Sequence, residues 1–111
     1  MKQHPASPGL ARQSLALAAL IALSGPAFAS KTLAEKHGCL GCHAAATKLV
    51  GPTYRDVAAK YAGDANAVAA LAQSIRNGGS GKWGEIPMPP QKQVSEADAK
   101  KLVRWILDGA K

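Results

Sequence analysis

The stretch "KHGCLGCHAAATK", Lys36 to Lys48, decides how the rest of the chain is read. It holds both cysteines, Cys39 and Cys42, and His43 follows the second directly. Two thiols three positions apart suit a redox disulfide, half of a zinc site, or the attachment point of a haem. A thioredoxin-like dithiol needs a strand-helix-strand frame, and no segment here alternates cleanly enough to be a strand. A structural zinc site takes four ligands, usually from two separated pairs. Here the candidates Cys39, Cys42, His43 and His37 crowd into one short stretch, so no distant segment would be cross-linked. The haem reading uses all three motif residues. Two cysteines at this spacing add through sulfur to the two vinyl groups of one porphyrin, and the adjacent histidine is carried under the iron as a nitrogen ligand. One C-x-x-C-H means one haem.

The second axial ligand is found by elimination. Apart from Met1 the chain has a single methionine, Met88, set in "IPMPP". A lone methionine is ordinarily gap-filling core. This one sits in a segment, Gly78 to Val94, too rich in Gly and Pro to be a regular element. Pro87, Pro89 and Pro90 restrict φ around it, which lowers the cost of holding a thioether in place. His/Met ligation is the pattern of an electron-transferring c-type haem. With both axial positions filled the iron has no open site for peroxide or dioxygen, so a carrier is expected rather than an enzyme. The rival reading is a haem enzyme or gas sensor whose Met88 detaches.

The N-terminal 29 residues read as a secretory signal peptide: basic Lys2 and Arg12, the nine-residue apolar run "LALAALIAL", then Ala27 and Ala29 before a cut ahead of Ser30. A spanning helix wants roughly 20 apolar residues, so no stable membrane insertion is expected. The mature part, residues 30–111, is one small domain. Domains of this size are marginal without a staple. Its aromatic residues are only Tyr54, Tyr61, Trp83 and Trp105. Such an under-filled core invites a large apolar cofactor.

Twelve basic residues against seven acidic ones give this part a net charge of +5. The basic residues are scattered and form no dense run interleaved with aromatics, which argues against nucleic acid. A positive field of this kind speeds encounters with negatively charged proteins.

Helical periodicity appears repeatedly. Thr32 and Glu35 have capping-box spacing ahead of a segment that Gly38 interrupts. Asp56 to Tyr61 suits a short helix. Ala65 to Asn77 suits a better one, with Val68, Leu71 and Ile75 on one face and "NGGSG" as its stop. Ser95 and Asp98 open the last helix, whose apolar stripe is Leu102, Val103, Ile106 and Leu107, with Lys100, Lys101 and Arg104 off the stripe. The expected fold is all-α.

"GCLGCHAAATKLVGPTYRDVAAKYAG" followed by "IRNGGSGKWGEIPMPPQ" closely resembles the small bacterial class I cytochromes c of the cytochrome c-551 type. The resemblance spans residues 30–111 and implies about four helices around one covalently bound haem c. It implies a monomeric periplasmic carrier that shuttles single electrons between larger respiratory redox proteins, docking on their acidic patches. It also implies that the Pro52 carbonyl meets the second imidazole nitrogen of His43, and that the Trp83 indole N–H meets a haem propionate, with plain core packing as the alternative for Trp83.

Two positions depart from some relatives. Gln91 stands where they carry an asparagine whose amide contacts the methionine sulfur, and Ser74 stands where they carry a propionate-binding arginine, for which Arg76 is a candidate substitute. His37 is expected to be a partly exposed helix histidine. Val50, Leu71, Ile75 and Ile86 are candidates to pack on the haem.

Overall fold

The computed structural model describes residues 2–5, 9 and 26–111. The apolar run Leu15 to Leu23 and most of the expected signal peptide therefore lie outside the described residues. The described residues form four α-helices in order: α1 (Pro26–Lys36), α2 (Tyr54–Lys60), α3 (Ala67–Asn77) and α4 (Glu96–Leu107). Among the described residues there is no strand, and an isolated antiparallel bridge pairs Gly79 with Met88. None of the helices described is long and apolar enough to cross a membrane.

The last helix organises the others. Ala99, Leu102, Val103 and Ile106 recur at helical spacing and are buried, so one stripe of α4 meets α1, α2 and α3. Ala34 from α1, Val57 from α2, Ala72 from α3 and Val94 just before α4 complete this core. The Ser95 hydroxyl accepts the Asp98 backbone N–H at 3.1 Å, which is the cap that the sequence implies. Lys100 and Lys101 pair with Glu96 and Asp98 at 3.4 and 3.7 Å on the exposed side. Pairs of this kind are worth only a few tenths of a kcal/mol.

Three boundaries differ from expectation. Thr32 is not a cap, because α1 is already helical from Pro26. The short helix starts at Tyr54 because the buried Thr53 accepts the Asp56 N–H at 3.0 Å, a cap that the sequence reading passed over. The third helix begins at Ala67, two residues later than expected, with Asn66 at its N-cap. α1 ends as expected: Gly38 takes a φ of 71° and returns its N–H to the Glu35 carbonyl at 3.1 Å.

Candidate functional site

The Gly38 turn leads directly into a 3₁₀ turn, Cys39–Gly41, and the His43 N–H donates to the Cys39 carbonyl at 2.9 Å. Cys39, Cys42 and His43 are thereby set side by side on one wall of a cavity of about 360 Å³. Neither cysteine is in a disulfide. Burial pushes the Cys39 thiol above its ordinary range, with a smaller opposing effect from a backbone hydrogen bond. A redox-active dithiol needs the reverse, a lowered thiol pKa.

His43 has its orientation fixed twice. Its Nδ1 lies 2.8 Å from the Pro52 carbonyl oxygen. A carbonyl can only accept, so Nδ1 carries the proton and Nε2 keeps its lone pair for a metal. Tyr54 stacks on the ring, with centroids 5.3 Å apart and planes 14° apart. Tyr54 in turn meets Trp105 of α4 edge-on at 5.4 Å, and the Trp105 indole donates to the Lys111 carbonyl at 3.1 Å. The histidine is thus braced against the helix that organises the core.

Met88 lines the same cavity from the loop. Its N–H donates to the Gly79 carbonyl at 2.8 Å, and the Gly79 N–H donates back at 3.1 Å. Gly78 makes this close approach possible: its φ is +71°, and a Cβ there would stand 2.5 Å from the Met88 carbonyl oxygen. The proline-rich segment is therefore pinned against the end of α3.

The remaining candidates divide. Val50, Leu71, Ile75 and Ile86 all line the cavity, as do Pro52, Trp83 and Gln91. His37 lines it too, half-buried just past the end of α1. Trp83 stands with the Lys60 ammonium 4.4 Å from its ring centroid. Ser74 lines the cavity with its hydroxyl turned back to the Ala70 carbonyl. Arg76 is not among the lining residues; its Nε donates instead to the Val94 carbonyl at 3.0 Å.

Sequence reading passed over the roles of Tyr54, Gly51 and Lys60. The resemblance pointed to Pro52 beside His43 but not to Gly51, on which a Cβ would stand 2.5 Å from the His43 ring. No local pattern marks Lys60 or Tyr54, since each acts on a residue distant in sequence.

The donor set fits a covalently bound haem: two neighbouring thiols, an imidazole with Nε2 available and a thioether, all lining one largely apolar cavity. Helices, cavity and motif together define a small c-type haem protein. The sequence pattern of the family described as Cytochrome c matches residues 28–110, and the chain belongs to that family. It is 53% identical over 91 residues to cytochrome c-552 of Hydrogenobacter thermophilus, covering 82% of this chain and 92% of the relative. Cytochrome c-551 of Pseudomonas aeruginosa is 50% identical over 93 residues, covering 84% and 88%. The crystal structure of wild-type Nitrosomonas europaea cytochrome c552 superposes with a TM-score of 0.69 at 52% identity, covering 70% of this chain and 96% of that one. These relatives are small bacterial class I cytochromes, and the cofactor of the family is one covalently attached haem c.

Proposed function

We propose that this chain is a periplasmic carrier of single electrons, with haem c held by Cys39 and Cys42 and with His43 and Met88 as its axial ligands. The observation that carries this reading is that His43, its Nδ1 engaged by Pro52, and the only methionine of the mature chain line one cavity. When bound, the haem supplies a one-electron iron couple, and a thioether ligand raises its potential.

The chain's own residues do the rest. The Pro52 carbonyl fixes the His43 tautomer and raises the basicity of Nε2. The braces on both ligands let them keep their places in either oxidation state, which keeps reorganisation small. With His43 and Met88 both holding the iron, no position would be open to a substrate, and the protein would carry electrons without catalysing a reaction. Trp83, which lines the cavity, offers its indole N–H to a propionate. Gln91 also lines the cavity, and gives one amide N–H to the Pro89 carbonyl at 3.1 Å.

Residues 1–29 are proposed as a cleaved leader and 30–111 as the exported domain. Exported in this way, the domain works as a monomer, and its positive charge steers it to acidic patches on donor and acceptor proteins.

Visible spectra of the purified protein in both oxidation states test the ligation. A weak far-red band in the ferric state, lost in Met88→Ala, is expected of a methionine ligand. Carbon monoxide added to the native ferrous protein should produce no rapid spectral change, and a rapid one would favour the enzyme or sensor reading. Transfer rates to an acidic redox partner should fall with ionic strength.

A further inference from the structure

We propose that Arg76 is a positioning residue for Met88: by holding the Val94 carbonyl it fixes the far end of the methionine loop and sets how often Met88 leaves the iron. The proposal rests on the reading of Met88 as an axial ligand.

The loop from Gly78 to Val94 has two unlike halves. Glycines at 78, 79, 81 and 84 make the first half permissive, and Gly78, Gly81 and Gly84 take positive φ. Pro87, Pro89 and Pro90 make the second half stiff. A stiff segment after a permissive one moves as a unit unless both of its ends are tied. The near end is tied by the pair of hydrogen bonds between Gly79 and Met88.

The far end is held by three successive residues at the end of α3. The Ile75 carbonyl, one of the last four that a helix leaves without an internal partner, accepts the Gln91 N–H at 2.9 Å. The Asn77 side chain accepts Lys92 Nζ at 2.7 Å. Arg76 Nε donates to the Val94 carbonyl at 3.0 Å.

These ties are unequal. The Lys92–Asn77 contact is exposed, so water competes for both groups. The Arg76 bond is partly buried and charge-assisted, and Val94 has 0% of its surface exposed. Val94 also donates its N–H to the Gln91 carbonyl at 3.1 Å, which closes a turn. A displacement at Val94 is thereby passed to Gln91, directly after Pro89 and Pro90, and so to Met88. Depriving a buried carbonyl of its donor costs enough to move a local opening equilibrium about tenfold.

Two substitutions separate the bond from the bulk of the side chain. Arg76→Met keeps a chain of similar length without a donor. Arg76→Gln returns a neutral N–H at about the position of Nε. Ala34→Gly, in the fully buried contact of α1, serves as a control that lowers global stability away from the loop.

In each haem-loaded protein, imidazole is titrated into the ferric form while the far-red band is followed. Apparent affinity for the competing ligand scales with the population in which Met88 is detached. Denaturant midpoints are measured in parallel by helical circular dichroism. Arg76→Met should bind imidazole about tenfold more tightly than the unmodified protein. Arg76→Gln should restore the original affinity to within about threefold. Ala34→Gly should lower the denaturant midpoint and leave imidazole affinity unchanged.

An unchanged affinity in Arg76→Met overturns the proposal. So does an Arg76→Gln that behaves like Arg76→Met, or an Ala34→Gly that tightens imidazole as strongly as Arg76→Met does. Absence of the far-red band from the unmodified protein overturns the ligand assignment and this proposal with it, whereas a band that is present but indifferent to Arg76 overturns this proposal alone.

Discussion

Gly51 lies so close to His43 that a Cβ built on it would stand 2.5 Å from the imidazole Cε1 and 2.9 Å from Nδ1. The ring has little room to yield, held by the Pro52 carbonyl 2.8 Å from Nδ1 and stacked on Tyr54. Gly51→Ala should therefore cost about 1 to 3 kcal/mol, as overpacking of a filled site does. Its yield of haem-loaded protein should fall with it. Gly41→Ala, inside the same motif but with no atom within 4 Å of the added carbon, should leave both quantities unchanged. Denaturant midpoints and haem content of the two variants check the contrast.

Gly78 does for the methionine side what Gly51 does for the histidine, but with backbone as its neighbour. An added Cβ would meet the Met88 carbonyl oxygen at 2.5 Å and the Pro90 nitrogen at 2.8 Å. Neither atom can swing aside as a side chain can. The φ of +71° adds a strain of about 1 to 2 kcal/mol for any residue with a Cβ. Gly78→Ala should weaken or abolish the far-red ferric band while the helical signal persists at low denaturant. A variant that keeps its full far-red band would show that the proposed ligand does not depend on this contact.

The two helix caps show what could be read without coordinates. Ser95 and Asp98 are three residues apart at the head of an apolar-periodic segment, and the hydrogen bond between them is local, so sequence alone implied it. Thr53 and Asp56 make the same bond, yet the short helix was expected only from Asp56. Thr32 and Glu35 have the same spacing and make no cap, because α1 is helical from Pro26. Spacing proposes a cap, and the surrounding chain decides it.

The chemistry of the site was legible for a related reason. Cys39, Cys42, His43 and Met88 are residue types with few other uses in this pattern. The Arg76 bond to Val94 and the Lys60 contact with Trp83 join residues far apart in the chain. No periodicity encodes such pairs, which exist only once α2 and α3 have been brought against the loop.

Capping energetics follow from the same comparison. Ser95→Ala should lower stability by about 1 kcal/mol, the usual worth of an N-cap side chain. Thr53→Ala should cost at least as much, since Thr53 is buried at 5% exposure and also loses packing. In the chain that keeps residues 26–29, Thr32→Ala should be neutral or slightly stabilising, because Ala is the better helix former and Thr32 is exposed within α1. Urea denaturation of the three variants gives the order, and a large loss in Thr32→Ala would contradict the extent of α1.

Tyr54 links the proposed iron ligand to the core, and its phenol makes that link sensitive to alkali. Burial pushes the phenol pKa well above the ordinary tyrosine range, and the neighbouring Cys39 thiol, when free, pushes it in the same direction. In the unfolded chain the phenol titrates near ~10. Above that pH the unfolded chain gives up the proton while the native protein keeps it, so the native state binds more protons. Stability must then fall as pH rises. The contribution of Tyr54 is thus fully present below about pH 10 and is lost progressively above it. Tyr54→Phe keeps the ring that stacks on His43 at 5.3 Å and removes the ionisable group. Denaturant midpoints of both proteins at pH 8 and pH 11 should show the variant losing less stability between the two values. Other groups that titrate in this range are common to both proteins and cancel in the difference. Equal losses would mean that Tyr54 ionises in the native protein as readily as it does in the unfolded chain, and that the stack on His43 leaves its hydroxyl open to water.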